Sequence, residues 1–322
     1  RRAAVSLVSD HAAVSPGQKV RIGLRQRLAP HWHTYWKNPG DAGSPPNIEF
    51  NLPEGATVSG IDWPGPDRFI IGPVASYGYE NEIVFPVTMS VPQHAQPGSQ
   101  LVVEANADWV VCEKECIPEE GKFRLTLPVE ASARPASPVI RASFNTADAR
   151  QPQPAPWQAS VVAGESTLQV LVKGDGISEQ SVRSALYFPE SWGIVDHVAE
   201  QSLEVENGKL TLTLRKGQGY MPGPSAGLLA ITDGGGQKRW FDLKLTPAAA
   251  AAGEPPANLP LWQMAVFAFL GGVILNLMPC VFPVLAIKAT AVAGMSGGDR
   301  RKVRLSGVFY TLGVLAAFLA LA

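Results

Sequence analysis

Two of the chain's three cysteines stand close together in Asp108-Trp109-Val110-Val111-Cys112-Glu113-Lys114-Glu115-Cys116-Ile117-Pro118, and the third, Cys280, lies in an apolar run far downstream. A pair at this spacing closes into a disulfide across a tight strand connection or along one helical turn. It does redox work if one sulfur is accessible, the other resolves a mixed disulfide and a partner has room to approach. Otherwise it is a static staple, the commoner use of cysteine pairs outside the cytoplasm. Spacing alone leaves both readings open. Zinc is disfavoured, because a structural zinc site normally takes four ligands and there is no second cysteine pair.

The neighbours of the pair point to a reducing role. Glu113, Glu115, Glu119 and Glu120 flank it, with Lys114 as the one nearby cation. Negative neighbours raise a thiol's pKa. A less stable thiolate makes the disulfide form relatively more stable, so the reduced pair is a better electron donor. A second candidate pair is His31 and His33, which share a face if their segment is a strand. They are a weak alternative as copper or zinc ligands, against the blander reading of side chains packed beside aromatic neighbours.

The elements that must position these groups read as β. Residues 19–25 alternate polar with apolar, the aromatic stretch 31–36 runs into the turn cluster Asn38-Pro39-Gly40-Asp41-Ala42-Gly43, and 48–52, 57–61, 83–90, 100–111 and 122–128 are further strand candidates. Within 100–111, Val103, Ala105, Ala107, Trp109 and Val111 share one face, whereas Cys112 has the parity of Glu104, Asn106 and Asp108 and should point away from it. The cysteines therefore belong at a connection between two strands, on the rim of the domain. The fold class expected is mainly β: two immunoglobulin-like antiparallel β-sandwich domains followed by transmembrane α-helices. The first sandwich covers 1–133 and carries the cysteine pair. A linker with a possible short helix covers 134–156. The second sandwich, at 157–247, contains the hairpin turn Asn207-Gly208 and reads as a support or spacer.

An Ala/Pro linker at 248–258 leads to the start of a transmembrane domain at 259–322. Residues 259–287 carry no charged side chain and are long enough to cross a bilayer. Pro279 and Pro283 break that run on either side of Cys280, as in membrane helices that line a site. Arg300, Arg301, Lys302 and Arg304 mark the loop 297–304 as cytoplasmic, which puts both sandwiches on the other side of the membrane. The N-terminus lacks a signal-peptide core, so a signal is expected to have been removed, and the second uncharged stretch marks the chain as the N-terminal portion of something longer. With 27 basic and 28 acidic side chains there is no electrostatic footprint for nucleic acid.

Four stretches together resemble one family. The cysteine segment, His33-Thr-Tyr-Trp-Lys-Asn-Pro-Gly-Asp-Ala-Gly, Tyr77-Gly-Tyr-Glu-Asn-Glu and Leu275-Asn-Leu-Met-Pro-Cys-Val-Phe-Pro-Val-Leu are similar to DsbD-type thiol:disulfide interchange proteins, with the closest likeness to the ScsB (suppressor of copper sensitivity) branch. The resemblance implies a protein-disulfide reductase of the bacterial inner membrane with periplasmic N-terminal domains. In such proteins cytoplasmic thioredoxin reduces a pair of membrane cysteines, which pass electrons to a periplasmic thioredoxin-like domain, then to the N-terminal domain, and then to periplasmic thioredoxin-like proteins. No cofactor is implied for this portion. By position Cys280 matches the first membrane cysteine, while Cys112 and Cys116 match the N-terminal pair, with Cys116 facing partners and Cys112 resolving. An aromatic shield over the pair is implied within 69–79, with Phe69, Tyr77 and Tyr79 as its candidates. The second membrane cysteine and the C-terminal thioredoxin-like domain of the family are absent from this sequence.

Two rival readings accompany this one. The first is a membrane-anchored module that binds copper or a partner protein and is stapled by Cys112–Cys116. The second is a structural subunit for envelope or cytochrome c assembly without redox turnover.

Overall fold

The computed structural model describes residues 2–248 and the pair 308–309. Cys280, Pro279, Pro283, the expected membrane spans and the loop 297–304 lie outside the described residues. Among the described residues no helix is long and apolar enough to cross a membrane.

The first sandwich is built from β1 (Ala3–Ser9), β2 (His11–Ala13), β3 (Lys19–Leu28), β4 (His33–Gly40), β5 (Asn47–Asn51), β6 (Thr57–Val58), β7 (Asp67–Ile71), β8 (Val74–Glu80), β9 (Glu82–Ser90), β10 (Gln100–Cys112) and β11 (Cys116–Pro128). One sheet has the order β1-β3-β9-β6, and the other runs β11-β10-β4-β8-β7 with β5 also paired to β10. The alternation in β10 does what a half-buried strand requires. Leu101, Val103, Ala105, Ala107, Trp109 and Val111 are buried against Leu7, Val20, Ile22, Leu24, Val87 and Met89 of the facing sheet, while Asn106 and Asp108 are exposed.

After β12 (Arg134–Pro135) comes α1 (Pro138–Asp148), which opens with proline in its first turn, where no backbone N–H is needed. Its buried residues Phe144 and Ala147 pack on Val8 and Val84, so this connecting stretch adheres to the first sandwich. The second sandwich follows β13 (Gln153–Pro154) and comprises β14 (Gln158–Ala163), β15 (Thr167–Lys173), β16 (Ser184–Pro189), β17 (Ser202–Glu206), β18 (Lys209–Arg215), β19 (Ser225–Thr232) and β20 (Lys238–Pro247). The order is β16-β19-β20-β14-β15-β18-β17, with β14 and β20 parallel where the two layers join. Asn207-Gly208 is the turn between β17 and β18, and Gly208 has φ +77° there, as that turn type demands.

The two sandwiches lie within one compact unit, Arg1–Ala251, and share an apolar seam. Trp36, Tyr77, Tyr79 and Phe85 of the first pack with Phe188, Leu228, Ala230 and Trp240 of the second. Burying each large side chain of this kind is worth roughly 1.5–3 kcal/mol. Polar ties reinforce the seam: Lys37 pairs with Glu190 at 2.6 Å, Asn38 Nδ2 donates to Pro189 O at 2.7 Å, and Trp240 Nε1 donates to Pro66 O at 3.0 Å. Asp67 of β7 pairs with Lys238 of β20 and with Arg150, the latter at 2.7 Å. The second sandwich is therefore a fixed buttress of the first, not a loose spacer.

Candidate active site: a disulfide at a hairpin end

Strands β10 and β11 form one long hairpin whose last register pair is Cys112 opposite Cys116, joined as a disulfide. The row continues across the sheet, with Cys112 opposite His33 of β4 and His33 opposite Glu80 of β8. Register partners in antiparallel strands project to the same face. Cys116, Cys112, His33 and Glu80 thus share the face opposite the sandwich core, as the parity of β10 predicts. Burial departs from that expectation. Cys112 is only 4 % exposed, whereas Cys116 is exposed.

An aromatic cluster lies on this outer face. Tyr35, two residues beyond His33, has its hydroxyl 3.3 Å from Cys116 Sγ. The His33 ring lies 5.3 Å from the Tyr35 ring, edge to face, and stacks at 5.1 Å on Phe69 from the β7–β8 hairpin. His33 is buried with no partner for its Nε2, and burial lowers its pKa. Burial raises that of Tyr35, partly offset by the Ser76 hydroxyl. Beyond Phe69, Ile70 and Ile71 at the hairpin tip are half exposed, at 50 % and 49 %.

Local sequence explains why β4 holds this arrangement. Its odd residues His33 and Tyr35 face the sulfurs. Its even residues Thr34 and Trp36 face inward, Thr34 Oγ1 donating to Val110 O at 3.2 Å and Trp36 filling the seam. The strand then turns through Gly40, at φ +86°, with Asn38 Oδ1 accepting from Gly40 N. Asp41 accepts from Ala75 N at 2.9 Å, which lays the following residues over Tyr35. Gly43, at φ +92°, passes so close to the Tyr35 ring that a Cβ there would fall within it.

The sequence-derived candidates therefore separate. Phe69 is on the disulfide's face. Tyr77 and Tyr79 are not: in β8 they alternate with Ser76, Gly78 and Glu80 and point to the other side of the sheet, where the Tyr77 hydroxyl meets His197 Nδ1 at 2.9 Å and the Tyr79 hydroxyl donates to Pro64 O at 2.6 Å. The aromatic residue that touches a sulfur is Tyr35. It stood inside the quoted motif, and only the β4–β10 register reveals its role.

His31 is exposed in a turn at φ +69° and precedes β4, so it does not share a strand face with buried His33. Among the described residues no cluster of three or more His, Cys, Asp or Glu side chains is arranged to hold a metal. Of the flanking glutamates, Glu113 lies in the hairpin tip and Glu115 follows it. Glu119 is turned to the Trp109 indole, whose Nε1 donates to it at 3.2 Å, with Arg2 at 3.9 Å. β11 is an edge strand, and Pro118, Glu119 and Glu120 near its start discourage pairing with another chain.

Chemically, the disulfide joins an exposed residue, Cys116, whose sulfur has a hydroxyl beside it, to a buried residue, Cys112, directly across the hairpin. Residues 4–128 match the family described as Thiol:disulfide interchange protein DsbD, N-terminal. No curated protein sequence matches the chain. Among solved structures, the chain is similar to the N-terminal periplasmic domain of ScsB from Proteus mirabilis, with 19 % identity and a TM-score of 0.54 over 77 % of this chain and 94 % of that one. Its similarity to BcpA, the major pilin subunit of Bacillus cereus, has a TM-score of only 0.24 at 11 % identity, over 77 % of this chain and 69 % of that one. Residues 4–128 thus match the DsbD N-terminal family, and the chain shares the fold of the ScsB N-terminal periplasmic domain.

Proposed function

We propose that the chain is a protein-disulfide reductase that hands electrons to periplasmic thioredoxin-like proteins by dithiol–disulfide exchange. The observation that carries this reading is the unequal exposure of the two cysteine residues, Cys112 buried and Cys116 exposed. In the reduced pair, the Cys116 thiolate attacks one sulfur of a partner disulfide, forming a mixed disulfide and releasing the partner's other sulfur as a thiolate. Cys112 then loses its proton and attacks Cys116 Sγ, breaking the mixed disulfide and releasing the partner's second thiolate. Two electrons pass to the partner, its two thiolates take up protons, and Cys112–Cys116 is re-formed.

Re-reduction requires a supply. In this reading residues 259–287 span the inner membrane, Cys280 takes electrons originating from cytoplasmic thioredoxin, and a thioredoxin-like domain relays them to Cys112–Cys116. The described portion needs no diffusible cofactor for its own step.

The test is trapping. Reduced full chain carrying Cys112→Ser is mixed with an oxidised thioredoxin-like protein and run on a non-reducing gel. A mixed disulfide through Cys116 is expected, and Cys116→Ser should yield at least tenfold less adduct. Absence of adduct from both variants would assign the bond a purely structural role.

A further inference from the structure

One end of the second sandwich exposes two large apolar side chains, Trp192 (65 %) and Met221 (82 %). Their loops touch, since Gly219 N donates to Gly193 O at 3.0 Å. Strand register identifies the end. Pro189 lies opposite Gly227 and Ser225 opposite Leu245, so both loops sit where β20 finishes at Pro247. β14 runs parallel to β20, with Ser160 opposite Thr246, which brings the turn at Glu165 to the same end.

The chain thus leaves the sandwich beside Trp192 and Met221. Only residues 248–258 separate that exit from the uncharged run 259–287. Eleven residues reach at most about 40 Å when fully extended. Tryptophan and tyrosine favour the headgroup zone of a bilayer, and a lysine stem lies along apolar surface while its charge stays in water. Tyr220 adjoins Met221, and Lys216 Nζ sits 4.9 Å over the Tyr220 ring. Two acidic side chains at this end are already paired, Glu190 with Lys37 at 2.6 Å and Asp196 with Arg215 at 3.6 Å.

We propose that Trp192 and Met221 form a lipid-contacting surface that inserts into the headgroup zone of the bilayer. The proposal rests on reading residues 259–287 as a membrane span.

The test uses the full chain in vesicles of phosphatidylethanolamine and phosphatidylglycerol containing a lipid with a shallow nitroxide. Flotation after an alkaline wash reports on the span, and tryptophan quenching reports on the surface. Trp192 is one of eight tryptophans, so the wild type is compared with Trp192→Phe. Loss of quenchable emission in Trp192→Phe is expected, as is weaker quenching in Met221→Glu, both with unchanged far-ultraviolet circular dichroism. A chain that fails to float overturns the span and the surface together. A chain that floats but shows equal quenching in wild type and Trp192→Phe overturns the surface alone. Trp192 shielded from aqueous acrylamide yet untouched by the nitroxide lipid would indicate a protein contact and overturn the lipid assignment.

Discussion

The Tyr35 hydroxyl lies 3.3 Å from Cys116 Sγ, and because a disulfide sulfur has no proton to give, the phenol is the donor. Burial raises the Tyr35 pKa, so it remains protonated when the pair is reduced. The same O–H then stabilises the Cys116 thiolate, in opposition to Glu113 and Glu115 nearby. Tyr35→Phe removes this stabilisation and should slow alkylation of Cys116 near neutral pH about threefold, the loss of thiolate being partly offset by its greater nucleophilicity. Iodoacetamide rates against pH, measured on a Cys112→Ser background, check this. An unchanged profile would show that the hydroxyl is a bystander.

Gly43 holds Tyr35 in place from above. Its positive φ disfavours any side chain, and a Cβ there would collide with the Tyr35 ring. Gly43→Ala should cost about 1–3 kcal/mol through strain and overpacking. It should also reproduce the slow alkylation of Tyr35→Phe, because the ring must move. Urea unfolding with alkylation of the folded variant separates the two effects. Lost stability with normal thiol reactivity would mean that the ring moves without losing Cys116.

Two buried histidines give the fold an acid sensitivity. Burial lowers the pKa of His33, and lowers that of His197 despite the opposing pull of Asp41 and Asp196. The unfolded chain therefore binds protons at a pH where the folded one does not, so stability is fully present above about pH 6.5 and is lost as pH falls below it towards the native values. Urea midpoints between pH 7.5 and 5 should decline in the wild type and decline less steeply in His33→Phe. Equal slopes would mean that His33 protonates in the folded state without penalty.

Asp67 behaves in the acid range as a clasp between the sandwiches. Burial pushes its carboxyl up, but Arg150 and Lys238 together outweigh this and hold it below the usual range. A depressed carboxyl contributes stability above its unfolded value of about 3.9, and that contribution disappears as pH falls through the folded value. Asp67→Asn should therefore lower stability at pH 7 by about 1 kcal/mol or less, since the pair is partly solvated, and flatten the acid limb of the stability curve. Urea midpoints at pH 7 and pH 3.5 measure both, and a variant that keeps the wild-type difference between the two pH values would refute the clasp.

Much of the scaffold was legible in the sequence because period-two alternation reports burial directly. Val103 to Val111 lie on the face expected, and the cysteines stand at a connection between strands. Parity also gave the correct face for Cys112. It did not give the burial, because parity ranks the two sides of one strand and is silent about what covers the second side. On that side lie Tyr35, His33 and Phe69, brought together with the cysteines by contacts such as Tyr35 to Cys116, 81 positions apart. The same limit explains Tyr77 and Tyr79: their place in a resembling motif suggested a shield, and one step of strand parity in β8 turns them to the opposite side. Support was one of two readings for the second sandwich, and the contacts that decide between them, such as Lys37 to Glu190 and Tyr77 to His197, leave no local pattern.

β4 consequently serves two clients back to back, the sulfurs on one surface and the inter-sandwich seam on the other. The redox hairpin is therefore not a portable cassette. Grafting residues 100–128 alone onto a foreign sandwich would transplant the cysteines without their hydroxyl or their aromatic cover. A working graft would need residues 33–43 as well, and those in turn would need an acceptor like Pro189 O and a pocket for Trp36 on the host.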